Sequence, residues 1–325
     1  MCYHTCSLET SIIGVIALVE IQIGNVDDGK PVHKWLRLLL PGMPLSGIYK
    51  CIRTGRVKVN GKRAKQETVL AEGDVVHLYM AEGDFANLSR PKRPKYAGIS
   101  KDIEVLYEDA EILVVNKPVG VLVHAAEGEY ASTLQARVEA YVYAKRPSRA
   151  GEAFHPAPVH RLDRNTSGLI VFAKTSRAAR RWSQAFQSGD VIKEYWALVE
   201  GAVRRPGSVA AALTREGAVT RVDDDGGKRS ATHYEPLAQS SGTTLLRVRL
   251  ETGRTHQIRA HLAHIGHPLV GDIKYGARPM RGESFFLHAA HLQLPNQLDL
   301  FAPIPPRFER KLEGLGYDVT RLRTH

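Results

Sequence analysis

Six apolar, strand-like runs crowd the C-terminal two-thirds of this chain: IEVLYED (103–109), EILVVNKP (111–118), GLIVFAKT (168–175), KEYWALVEG (193–201), TTLLRVRLETG (243–253) and FFLHAAHLQL (285–294). Helical patterns are fewer. One starts at Ser132 and carries Leu134, Val138 and Tyr141 on one face. A second, SRAARRWSQAFQSG, runs from Ser176 to Gly189, and a third opens at Thr255. A parallel α/β fold needs a crossover helix between successive strands, and these segments do not alternate that way. The spacing predicts an α+β domain with a mixed, largely antiparallel sheet, and neither an internal repeat nor a low-complexity tract interrupts it.

Ahead of it, residues 30–80 read as a smaller unit. VHKWLRLLL (32–40) has helical apolar spacing and stops at Pro41-Gly42. Ser46 can cap a second short helix, GIYKCIRT, ending at Gly55. RVKVNGKRA (56–64) alternates around Asn60-Gly61, a strong hairpin signal. Upstream, Val19-Glu20-Ile21-Gln22-Ile23 alternates as an opening strand. The stretch SIIGVIALVEIQIG (11–24) holds Glu20 and Gln22 and is too short and polar to span a bilayer. LSRPKRPKYAGISK (88–101), rich in proline and lysine, reads as a linker.

Charge matters next. Lys and Arg total 45 against 34 Asp and Glu, a net +11. Seven of the cations (Lys50, Arg53, Arg56, Lys58, Lys62, Arg63 and Lys65) fall within sixteen residues that contain no acid. A charge run is usually a solvated face, but one sign across a helix and a hairpin favours contact with phosphates. The three cysteines, Cys2, Cys6 and Cys51, are too few for a disulfide framework and fit a reducing compartment. Cys2, His4 and Cys6 lack a second ligand pair at zinc-like spacing, so a frayed terminus is the simpler reading.

Two stretches invite chemistry. In HRLDRNTSG (160–168), Asp163 stands between Arg161 and Arg164, just before a buried strand. Flanking positive charge favours the carboxylate form, which suits a nucleophile or electrostatic stabiliser rather than an acid. Spacing alone leaves a structural ion pair equally open. In ETGRTHQIRAHLAHIGHPLVGD (251–272), Ile258, Leu262 and Ile265 form an apolar face, while His256 and Arg259 share a neighbouring one and can reach one target. His256, His261, His264 and His267 raise the thought of a metal, but they spread around the helix without an acidic partner. Lys117 is either a phosphate ligand or a solvated strand end. Trp182 and Trp196 read as core.

Together, NKPVGVLVH (116–124), HRLDRNTSGLIVFAKT, KEYWALVEG and TGRTHQIRAHLAHIGHPLVGD with its following KYG resemble the RluA-type pseudouridine synthases, as do LHAAHLQL and FAPIPPRF. The segment IYKCIRTGRVKVNGKRAKQETVLAEGDVV (48–76) resembles an S4 RNA-binding domain, although His33-Lys34 stand where that family often has an Asp. The resemblance implies a small α/β S4-like domain at 15–87, a leader at 1–14, a basic linker at 88–101 and a catalytic domain of the pseudouridine synthase fold at 102–325. It implies that Asp163 attacks the target uridine, Tyr195 stacks on the base and Arg259 pairs with the carboxylate. Arg161 would fill the gap left by a flipped base, and Leu287 would pack beneath it. Lys50, Arg53, Arg56, Lys58, Lys62 and Arg63 would meet RNA. The implied enzyme is a cytoplasmic monomer acting on RNA, most of all large-subunit ribosomal RNA, with no metal or cofactor, no membrane and no DNA.

Two rivals are weaker. A non-catalytic RNA binder would have no use for a carboxylate facing a polyanion. A glycoside hydrolase using Asp163 would need a second poised carboxyl group, which neither motif supplies. Without the resemblance, Tyr195 would be read as ordinary strand packing.

Overall fold

The computed structural model describes residues 18–89, 96, 98–125, 129–145, 154–223, 226–280, 284–295 and 297–322. The leader expected at 1–14 lies outside them. The chain divides into two compact units near Gly98.

The N-terminal unit is a four-stranded antiparallel sheet in the order β1 (Leu18–Gln22), β4 (Val75–Tyr79), β2 (Val57–Val59), β3 (Lys62–Arg63). Helices α1 (Val32–Leu39) and α2 (Leu45–Arg53) pack against each other, burying Trp35, Leu36, Ile48 and Ile52 with Val57, Val76 and Leu78. Asn60 and Gly61 both take positive φ, 50° and 75°, which joins β2 to β3 through the tight turn their dipeptide favours. Ser46 does not cap α2. The helix starts at Leu45, two residues ahead of the expected GIYKCIRT, with Pro44 at its N-cap position. Leu88 and Ser89, expected in the linker, belong instead to a third helix, α3 (Glu82–Ser89). Phe85 and Leu88, three apart, give that helix an apolar edge against the core, which its glycine, aspartate and asparagine conceal in the sequence.

The larger unit is built on a ten-stranded mixed sheet. Its main path is β10 (Gly207–Ala210), β13 (Ala231–Ser240), β14 (Thr243–Leu250), β9 (Ile192–Glu200), β15 (Leu287–Gln293), β8 (Ser167–Ala173), β6 (Ile112–Lys117), β5 (Glu104–Glu108). Two short strands, β7 (Ala157–Pro158) and β16 (Asp299–Phe301), pair with β8 and β15. A separate hairpin joins β11 (Leu213–Glu216) to β12 (Val219–Val222). Every pairing is antiparallel except the central one, β15 with β8. Strand β13 escapes a sequence reading because Pro236 sits in it. The ladder bulges there, between Pro236 and Ala238, which is how a sheet tolerates a residue with no N–H to give.

Both faces of the sheet are covered, so all seven residues of β8 are buried. On one face α4 (Leu134–Lys145) brings Leu134 and Val138, and α6 (Gln257–His264) brings Ile258 and Leu262, onto Leu113, Ile170, Ala197, Leu246 and Leu287. On the other, α5 (Ser176–Ser188) sets Trp182 against Val114, Leu169 and Val171, while α7 (Pro306–Gly314) packs Phe308 and Leu312 on Leu198 and Leu245. Each fully buried Leu or Phe contributes about 2–3 kcal/mol. Trp182 is core as expected, and Trp196 packs partly buried beside α7.

Register then decides position. Lys117, Gly168, Ala289, Tyr195 and Val248 occupy one row across five neighbouring strands. The row tolerates no side chain at its second place. A Cβ on Gly168 would lie 2.2 Å from the Ala289 carbonyl oxygen, and its φ is +108°.

Candidate active site

The turn holding Asp163 lies between β7 and β8 and is tied down from three directions. Thr166 N–H closes it on the Asp163 carbonyl at 3.1 Å. Val171 N–H donates to His160 Nε2 at 3.1 Å, and the His160 ring stacks on Phe186 at 4.2 Å. Burial pushes that imidazole down to about 3, so it is neutral and its Nε2 remains an acceptor. The third tie is Lys117. Fully buried, its Nζ donates to the carbonyl oxygens of Pro118 (2.9 Å), Val121 (2.7 Å) and Arg164 (2.8 Å), and Gly120 N–H donates to the Arg164 carbonyl as well. Lys117 is therefore neither phosphate ligand nor solvated strand end. It is a cross-tie between two loops, and burial pushes its amine down to about 7.

The arginines beside Asp163 in sequence are not what holds it. Arg164 pairs with Glu129 at 2.5 Å, and Arg161 is exposed at the rim. The partner is Arg259, 96 positions away, whose Nη1 reaches Asp163 Oδ2 at 3.2 Å. Arg259 is itself gripped by Asp272, with Nε to Oδ2 at 2.7 Å and Nη2 to Oδ1 at 2.8 Å. Its guanidinium carbon lies 4.3 Å from the ring centroid of Phe285 and 4.7 Å from that of Tyr275. Burial opposes the charge, but Asp272 and then Asp163 outweigh it and raise the guanidinium above its ordinary value. A planar cation between two rings and two carboxylates has little freedom to turn.

Asp163, Arg161, Tyr195, Arg259 and Leu287 line one cavity, together with Leu162, Thr166, Arg254 and His256. Tyr195 and Leu287 are buried in its floor, from strands β9 and β15. Burial and then the Asp163 charge raise the Tyr195 phenol above its ordinary range, so it stays protonated. The cavity therefore joins an apolar, aromatic floor to a carboxylate held by a buried guanidinium, with arginines at the rim. That arrangement suits a flat polar ring attached to a phosphodiester backbone.

His256 and Arg259 do converge on Asp163, but from a helix that starts later than expected. Thr255 and His256 precede α6, and His256 has left-handed backbone angles (φ 54°, ψ 20°). Two of the other histidines have ordinary partners, and His264 is exposed. His261 meets Thr232 and Ser230, and His267 meets the Glu200 carbonyl. Among the described residues no cluster of three or more His, Cys, Asp or Glu is arranged to hold a metal. Asp272 and Tyr275 join the site unannounced by the sequence reading, although they lie in the GD and KYG that carry the family resemblance.

The other predicted set lies in the N-terminal unit. Lys50, Arg53, Arg56, Lys62 and Arg63 are exposed, and half-buried Lys58 places its amine 4.9 Å from the Tyr79 ring centroid. Arg53 and Arg63 line a hollow with Tyr49, Ile52, Lys65 and Gln66. His33, where the resemblance calls for an acid, has its Nδ1 2.7 Å from the Gln66 carbonyl and so ties α1 to this loop.

Known proteins share this sequence and fold. The profile described as RNA pseudouridylate synthase matches residues 111–264. The ribosomal large subunit pseudouridine synthase C of Vibrio cholerae is 33% identical over 314 residues, covering 90% of this chain and 96% of that protein. The ribosomal large subunit pseudouridine synthase D of Yersinia pestis is 37% identical, covering 91% and 94%. Human RNA pseudouridylate synthase domain containing 1 superposes with a TM-score of 0.55 at 25% identity, over 71% of this chain and 96% of its own. The chain belongs to the RNA pseudouridylate synthase family and is an enzyme that isomerises uridine in RNA to pseudouridine. Among the described residues no helix is long and apolar enough to cross a membrane.

Proposed function

We propose that this enzyme acts in the cytoplasm, as a monomer, on uridines of large-subunit ribosomal RNA, with Asp163 as its nucleophile. The reading of the substrate is supported by the names of the relatives that match along nearly the whole chain. The reading of the nucleophile rests on one observation above all: the Asp163 carboxylate is presented in the cavity by a buried Arg259 that Asp272 already holds on its far side.

In this mechanism the target nucleotide leaves its stack and enters the cavity, with Arg161 taking the vacated place. Its uracil lies between Tyr195 and Leu287. Asp163 bonds to C1′ as the C1′–N1 bond breaks, and the electron pair of that bond passes to the uracil ring. The ring turns, C5 bonds to C1′ as the Asp163–C1′ bond breaks, and N1 takes up a proton as C5 loses its own, so the product is an isomer and nothing is consumed. Tyr195, protonated and beside the base, can assist that last proton's departure. Lys50, Arg53, Arg56, Lys58, Lys62 and Arg63 form a phosphate-binding face on an S4-like unit.

The test is tritium release. Purified protein with large-subunit ribosomal RNA labelled at uridine C5 should release tritium without added cofactor and at the same rate with chelator. Release absent from ribosomal RNA but present with another RNA would overturn the substrate, and absence from every RNA would overturn the mechanism.

A further inference from the structure

His256 has no place in the mechanism above, yet four observations point it at the substrate. It lines the cavity with Asp163, Tyr195, Arg259 and Leu287. Its backbone is left-handed at φ 54°, a conformation uncommon outside glycine, and it sets the ring ahead of the first turn of α6. Its Nε2 lies 3.8 Å from Asp163 Oδ2, too far for a hydrogen bond and near enough for both atoms to meet one bound group. Its Nδ1 lies 2.8 Å from the Tyr275 hydroxyl.

The last contact sets the proton. The Tyr275 oxygen already accepts a hydrogen bond from Thr220 N–H at 3.0 Å, from strand β12. Burial raises the Tyr275 phenol, so its own proton stays on, and we assign that proton to the bond with His256 Nδ1. Burial likewise lowers the His256 imidazole, against the opposing pull of Asp163, which keeps the ring neutral. A neutral ring that accepts at Nδ1 carries its one hydrogen on Nε2. Thr220, Tyr275 and His256 thus form a chain ending in an N–H aimed into the cavity beside the nucleophile.

We propose that His256 is a substrate-contacting residue, whose Nε2–H, fixed in that tautomer by Tyr275, donates to a uracil carbonyl oxygen of the target nucleotide. The inference rests on the reading of Asp163 as the group that meets the uridine. When the C1′–N1 bond breaks, the uracil ring takes the electron pair and its carbonyl oxygens share the charge. A fixed donor at such an oxygen favours that state over the intact nucleotide. His256 keeps its proton throughout, so no proton or electron is added to the isomerisation.

Two measurements test this on the full chain. Nitrogen-15 spectra of histidine-labelled protein, assigned by the loss in His256→Asn, should show a neutral ring protonated at Nε2, and Tyr275→Phe should turn it into a mixture of tautomers. A ring protonated at Nδ1, or charged, in the wild type overturns the proposal. Asparagine accepts the left-handed backbone but cannot reach the Nε2 position, whereas glutamine can. His256→Asn should lower kcat about tenfold or more with KM little changed, and His256→Gln should recover most of that loss. Equal kcat in wild type and His256→Asn, or a glutamine variant as impaired as asparagine, overturns the proposal. Wild-type protein that releases no tritium from any RNA overturns the uridine reading instead, and the tautomer then judges His256 alone.

Discussion

Arg259 grips Asp272 more closely than it grips Asp163. Two short bonds, 2.7 and 2.8 Å, run to the buried Asp272, and one longer bond, 3.2 Å, runs to the half-buried Asp163. The geometry assigns the two acids different work. Asp272 orients the guanidinium, and Asp163 is left with one oxygen uncommitted to it, free to meet a substrate.

Asp272→Ala should accordingly be a stability variant first. It strands a buried guanidinium with only the weaker partner, at a cost of about 3–5 kcal/mol. Urea unfolding should show the loss, and activity should fall even at temperatures where the variant is folded, because Arg259 can then rotate away from Asp163. A variant as stable as wild type would show that Asp272 does not hold Arg259.

Asp163→Asn should leave the fold nearly unchanged, within about 1 kcal/mol, because Asp272 still pairs the buried Arg259 and the amide oxygen can accept the one longer bond. RNA affinity should be close to wild type while turnover disappears. Arg161→Ala should keep its turnover on single-stranded RNA and lose most on structured RNA, where holding the stack open is costly. A destabilised Asp163→Asn protein that still turned over would refute the nucleophile.

Lys117 gives a pH signature with a definite sign. Its folded value, about 7, lies below the 10.5 of an unconstrained lysine. Between those values the unfolded chain binds the proton that the folded protein has released, so stability rises with pH across that window. Lys117→Met abolishes this rise and leaves the Pro118 and Val121 carbonyls without that donor, at about 1–3 kcal/mol for each buried acceptor left unsatisfied. Thermal unfolding of both proteins from pH 7 to 10 should show the gap widening as pH rises. A constant gap would count against the burial effect.

Lys50, Arg53 and Lys62 are exposed, so changing all three to Ala should leave the melting temperature within about 2 °C. If each meets a phosphate, RNA binding should weaken on every sequence alike. The slope of log affinity against log salt should shrink by about 2 to 3, near one for each phosphate no longer neutralised. An unchanged slope would make this face merely solvated.

Most elements of the fold were legible because their signals are local. Alternation in Val19–Ile23, the Asn60-Gly61 turn and the apolar stripe of Ile258 and Leu262 each depend on neighbours within a few residues. Local composition also marked Asp163 and Arg259, whereas Tyr195 and Leu287 entered only through the family resemblance, which supplied all four proposed roles. Proline hid β13, and a polar surface hid α3, since in both cases a local signal ran against the packing that prevailed.

The sequence by itself determined most of the central strands, the Asn60-Gly61 turn and the two stretches that hold Asp163 and Arg259. The tertiary structure alone decided what those residues touch. Nothing near Asp163 in the chain says that Arg164 turns to Glu129 while Arg259 supplies the charge, or that Lys117 is sealed beneath the turn. The strand that follows Asp163, β8, lies parallel to β15, which carries Leu287, with Gly168 against Ala289. Parallel strands have no tight turn between them, so their register is set by long-range packing and close backbone approach rather than by any short stretch of sequence.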